Sequence, residues 1–144
     1  MLGSVYGARV VVLAGSGHNG ADALWAGLKL RERGARVDVV VAGPGVAAGA
    51  AANIALSCDI VMASHSASFI QAFSKIGLIP DSSGTHTLPR LIGWQKASAL
   101  MMLGEKVPAA EAERMGMIYK VFTDETFAEN ALLIAIYLSK MPTK

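Results

Sequence analysis

The order of apolar and polar positions along the chain predicts strands and helices in alternation. Residues 9–15, RVVVLAG, form a β-branched run that meets the glycine-rich turn GSGHNG, and ADALWAGLKLRERG then carries apolar residues at helical spacing. Gly34 stands where a left-handed cap ends that helix, and RVDVVVAG supplies a second strand, far enough along for a right-handed parallel crossover. After GPG, AAGAAANIALS reads as a small-residue helix packed closely on the sheet, and DIVMAS as the next strand. Residues 68–79 fit either a short strand or a helical turn, and LIPDSSGT is a loop. One helix is expected around TLPRLIGWQKASALMMLG, with Pro89 in its first turn. VPAAEAERMG is a short helix between Pro108 and Gly116, MIYKVFT is a strand, and DETFAENALLIAIYLSKM is a final helix with Asp124 as its N-cap. This alternation predicts an α/β fold: a mostly parallel sheet with helices packed on its faces, built from βαβ units.

Composition adds a surface to this picture. The 144 residues suit a single domain, and with 53% hydrophobic and 17% charged residues little polar material is left to cover it. Apolar surface is therefore expected to meet a partner. The final helix contains ALLIAIYLS, apolar on every face, so Ile136 and Tyr137 are expected to contact another copy in a homo-oligomer. A net charge of +2 without a basic cluster excludes nucleic acid as a partner. The most apolar late run is shorter than the ~20 residues a membrane helix needs, which excludes a bilayer. The start MLGSVYGARVVVLAG has no basic segment ahead of a long apolar one, so no targeting peptide is read. The single cysteine, Cys58, is expected to be a small buried apolar residue in a cytoplasmic protein.

Candidate chemistry is sparse outside the glycine-rich segments. His18, His65 and His86 lie in separate turns, with no i, i+4 pair and no CxxC companion, so no metal site is expected. Ser16 lacks the G-x-S-x-G elbow of a nucleophile and reads as a turn serine. The turn from Gly15 to Asp22 opens a helix, and its free amides could bind a phosphate or nucleotide through Gly17, Asn19, Gly20 and Asp22.

Two resemblances extend the reading. Residues about 5–43 resemble the N-terminal βαβ unit of the NAD(P)HX epimerases, whose turn reads G-x-x-N-G-G-D; here it is Gly17, His18, Asn19, Gly20, Ala21 and Asp22. Residues about 44–144 resemble the crotonases, or enoyl-CoA hydratase/isomerases, through GVAAGAAANIALSCDIVMAS, SFIQAFSKIGLIPDSSGTHTLPRLIG and LGEKVPAAEAERMGMIYKVF. The DSSG segment is closest to isomerases of the phenylacetate-degradation type, whose loop reads P-D-S-G-G; Ser83 departs from that pattern.

The crotonase resemblance implies a CoA thioester as substrate, no resident cofactor, and an enolate stabilised by two backbone N–H groups. The second donor falls on Ala50, beside Gly49, with Ala51 where the family has glycine. The first falls on Asn19 in HNGADAL. The two glutamates used in hydration correspond to Asn53 and Phe73, which cannot relay protons as carboxylates do, so hydratase activity is disfavoured. Asp81 remains as a single base for moving a double bond. The resemblances meet near residues 41–44, and the chain stops before the C-terminal helices that close the crotonase site. Together these features predict an artificial chimera of epimerase and crotonase segments, a scaffold without natural catalysis. Residual enoyl-CoA isomerase activity and phosphate binding at the glycine-rich turn are the alternatives.

Overall fold

The computed structural model describes residues 9–14, 36–41 and 46–139. The turn carrying Ser16, Gly17, His18, Asn19, Gly20 and Asp22 lies outside the described residues, as does the helix expected after it. Four strands form a parallel sheet in the order β1-β2-β4-β7: β1 Arg9–Ala14, β2 Arg36–Val41, β4 Val61–Ser64 and β7 Lys120–Phe122. β4 lies inside this sheet and is buried at all four positions, which is why VMAS is unbroken by polar alternation until its last residue.

A second sheet of three short strands corrects the expectation of one mostly parallel sheet. β3 Val46–Ala48 pairs parallel with β5 Ser68–Ile70, and β5 pairs antiparallel with β6 Lys106–Pro108. The ambiguity over residues 68–79 resolves into both options, because β5 is followed by a 3-10 turn over Ala72–Ile76.

Among the described residues the helices are α1 Ala50–Leu56, α2 Gly84–Ile92, α3 Trp94–Leu103, α4 Ala109–Arg114 and α5 Phe127–Ser139. The single helix expected around TLPRLIGWQKASALMMLG is two, since Gly93 takes φ 81 and ψ 158, which breaks the helical path between α2 and α3. Pro89 is not in a first turn. It lies inside α2, where its missing N–H leaves one carbonyl of the preceding turn without its helical donor. Asp124 does not cap α5 either. Its Oδ1 accepts the Ser66 N–H at 3.1 Å and the Ser66 hydroxyl at 2.8 Å, tying the end of β4 to the loop after β7. The backbone N–H bond from Ser66, with help from its hydroxyl, holds the Asp124 carboxyl below its ordinary value.

The main core joins α1, β4, β5, α2 and the segment after α4 through Ala52, Leu56, Val61, Phe69, Leu88 and Met117. Ala52 and Ala55 are fully buried, so the small side chains of α1 let it lie close against its neighbours. Cys58 is half-buried rather than buried, with its thiol directed to the Ile54 carbonyl. On α5, Phe127 and Ala131 pack with Met62 while Leu132, Leu133 and Tyr137 are exposed; the Ile136 side chain is outside the described set. No helix among the described residues is long and apolar enough to cross a membrane.

Candidate active site

Three segments converge around the start of α1. The Gly49 N–H donates to the Ile70 carbonyl at 2.9 Å, so the end of β3 is held against β5 as the chain turns into the helix. Gly49 achieves this turn at φ 56 and ψ −122, a conformation open to glycine and strained for any L side chain. Ala50 follows as the first helical residue, half-buried, with an N–H that α1 itself cannot satisfy. The Phe73 ring, from the 3-10 turn, closes over Gly49, with its nearest atom 3.5 Å from where a Cβ would stand.

Asn53, one turn into α1, is 1% exposed and spans the gap to the loop carrying Asp81. Its Nδ2 donates to the Asp81 carbonyl at 2.9 Å, and its Oδ1 accepts from Gln71 Nε2 at 2.7 Å. The pattern fixes both amides: Asn53 must turn its nitrogen to the carbonyl, which leaves its oxygen for the Gln71 nitrogen. Gln71 Oε1 then stays buried without a hydrogen-bond partner among the described residues. The Asp81 carbonyl also accepts the Gly84 N–H at 2.9 Å. The side chain of Asp81 is exposed.

Between these anchors the loop runs through Ser82 at φ 47 and Ser83 at φ 65, two consecutive non-glycine residues in the left-handed region. Such a pair persists only where the surroundings over-determine it. Gly84 is required by space: an added Cβ would stand 2.5 Å from Asn53 Cγ and closer still to Nδ2. The Asp81 loop is thus pinned to α1 by packing and by hydrogen bonds. Beside it, Leu78, Ile79, Pro80, Trp94, Met101 and Met102 line most of an apolar cavity of about 350 Å³.

The structure therefore brings together four of the positions singled out in the sequence: Ala50, Asn53, Phe73 and Asp81. Asn19, the other candidate donor, lies outside the described residues with Gly17, Gly20 and Asp22. Gln71 and Gly84 are site residues that the sequence reading missed; the final glycine of DSSG was the available signal for one of them. His65 and His86 are exposed, and no group of three His, Cys, Asp or Glu side chains among the described residues could hold a metal ion.

The profile of the enoyl-CoA hydratase/isomerase family matches residues 22–144. The chain is 50% identical over 105 residues to the 1,2-epoxyphenylacetyl-CoA isomerase of Escherichia coli, a match covering 73% of this chain and 40% of that protein. It is 46% identical over 87 residues to the trans-2-decenoyl-[acyl-carrier-protein] isomerase of Streptococcus mutans, covering 60% of this chain and 33% of that one. Among solved structures, an enoyl-CoA hydratase from Mycobacterium avium subsp. paratuberculosis superposes with a TM-score of 0.72 at 33% identity, over 84% of this chain and 48% of the other. The chain thus spans less than half the length of each of these proteins.

These matches overturn the expectation of an artificial chimera without natural catalysis. The match to one family extends from residue 22 to residue 144, so its bounds enclose residues 41–44 and reach into the segment whose turn resembles NAD(P)HX epimerases. β2, which precedes that point in the chain, pairs parallel with β4, which follows it, from Val39↔Val61 to Val41↔Ala63.

Proposed function

The chain belongs to the enoyl-CoA hydratase/isomerase family, and from that premise we propose that it acts on CoA thioesters by shifting a carbon–carbon double bond. The observation that carries this reading is the distribution of carboxylates. Position 53 in α1 holds a buried amide and position 73 in the 3-10 turn packed against it a buried phenyl ring, while Asp81 supplies a carboxylate on the loop pinned beside them. One base suffices for isomerisation, whereas adding water across a double bond needs a second group to activate the water.

In this reading the Ala50 N–H, with the peptide N–H of Asn19 as its partner, donates to the thioester oxygen and stabilises the enolate. Asp81 takes a proton from C2 of a 3-enoyl thioester. The electron pair delocalises through the former C3–C4 double bond, and the same proton returns to C4, leaving the double bond between C2 and C3. No oxidant, metal or water is consumed. Exposed Trp94, Met102, Leu132, Leu133 and Tyr137 support a further reading of self-association.

The test is conversion of a 3-enoyl-CoA to its conjugated isomer, followed by ultraviolet absorbance. Replacing Asp81→Ala is expected to lower kcat by on the order of 10²–10⁴. Equal rates in the two proteins would refute the assignment.

A further inference from the structure

We infer that Asn53 is a positioning residue for Asp81, oriented in turn by Gln71, so that an amide in the core sets where the loop carboxylate stands. The inference rests on the isomerase reading above. It begins from a cost: two primary amides are nine-tenths or more buried, at 1% exposure for Asn53 and 2% for Gln71. Burying amides is unfavourable unless their hydrogen bonds are made, and Gln71 Oε1 has no partner among the described residues. A pair of apolar side chains would fill the same space without that penalty.

What the amides provide is a fixed point for the Asp81 backbone. A hydrogen bond from a helix-borne side chain to the carbonyl of Asp81 constrains the peptide plane immediately after the Asp81 Cα, and hence ψ of Asp81. The Gly84 N–H bonds the same oxygen, so two donors from two elements meet at one atom. The strained backbone at Ser82 and Ser83 lies between those two anchors. Without the Asn53 bond the loop can relax toward ordinary φ values, and the exposed carboxylate moves with it. A displacement of about 1 Å at a reacting group can lower a rate by about 100-fold.

Asn53→Ala in the full chain tests this. The expected result is a ten- to hundred-fold fall in kcat with KM within two-fold, and faster hydrogen–deuterium exchange at the Gly84 and His86 amides. In the Asp81→Ala background, Asn53→Ala is expected to leave the residual rate unchanged, because a residue acting through the carboxylate has nothing left to position. An equal fold-loss in both backgrounds, or a Gly84 amide as protected as in the parent, overturns the inference.

Should Asn53→Ala not fold, Gln71→Leu keeps the Asn53 donor but frees the amide to rotate. It is expected to give a smaller kcat loss of the same kind, and an unchanged kcat and exchange rate there count against the inference. If Asp81→Ala itself leaves the rate unchanged, the isomerase reading fails. The exchange result then still reports independently whether Asn53 holds the loop.

Discussion

Gly84→Ala pits helix propensity against space. Gly84 is the first residue of α2 and has no left-handed φ, so propensity alone favours alanine by up to about 1 kcal/mol, less at a helix end. The added methyl would stand 2.5 Å from Asn53 Cγ and 2.7 Å from Oδ1, well inside van der Waals contact. Asn53 cannot simply swing aside, because it is bonded to Asp81 and Gln71. Overpacking of this kind costs about 1–3 kcal/mol, and a lost buried hydrogen bond about 1 kcal/mol more. Net destabilisation of about 2–3 kcal/mol is expected. In urea, with a slope of about 2 kcal/mol/M, the midpoint falls by roughly 1–1.5 M at unchanged slope. The double variant Asn53→Ala/Gly84→Ala isolates the cause, since removing the amide makes room for the methyl and Gly84→Ala then costs little. Additive effects within about 0.5 kcal/mol, or a Gly84→Ala protein as stable as the parent, would show that the close approach is not what excludes a side chain here.

Two other expectations concern the Asp81 loop and the contact between Asp124 and Ser66. Ser83→Gly relieves a left-handed serine, a gain of about 1–2 kcal/mol that the greater freedom of unfolded glycine partly offsets. It is therefore expected to be neutral or to stabilise by about 1 kcal/mol in urea denaturation, and a loss above about 0.5 kcal/mol would contradict the strain. Asp124→Asn keeps the shape of the contact with Ser66 and removes its charge. Because the folded carboxyl titrates below its ordinary value, the parent's advantage over the variant is full above about pH 4 and disappears as pH falls through the folded value. An advantage that grows on acidification would refute the contact.

Legibility in the sequence followed range. The strand RVDVVV and the segment DIVMAS stood out because each carries several consecutive β-formers or apolar residues. β3 and β6 did not, since three residues define no period. The letters TLPRLIGWQKASALMMLG predict one helix with Pro89 in its first turn, whereas the backbone at Gly93 splits the segment in two. The carboxylate of Asp81 was legible as part of a contiguous motif. Its link to Asn53 was not, because the two residues are 28 apart and a side chain meets a backbone atom whose identity leaves no trace in the residue letters. The epimerase-like turn misled for the opposite reason. A glycine-rich passage from strand to helix meets a local geometric need shared by many α/β folds, so a few matching letters carry little about ancestry.

The contact between Gly84 and Asn53 also bears on how such a scaffold changes its chemistry over generations. An ionised acidic side chain at 53 has no N–H to give, so it would release the Asp81 carbonyl while still offering an oxygen to the Gln71 amide, in the space that Gly84 leaves open beside it. Positions 53, 71 and 84 therefore form one epistatic block around the Asp81 backbone. Each is constrained by the present state of the others, so the effect of a substitution at one of them depends on which residues already stand at the other two.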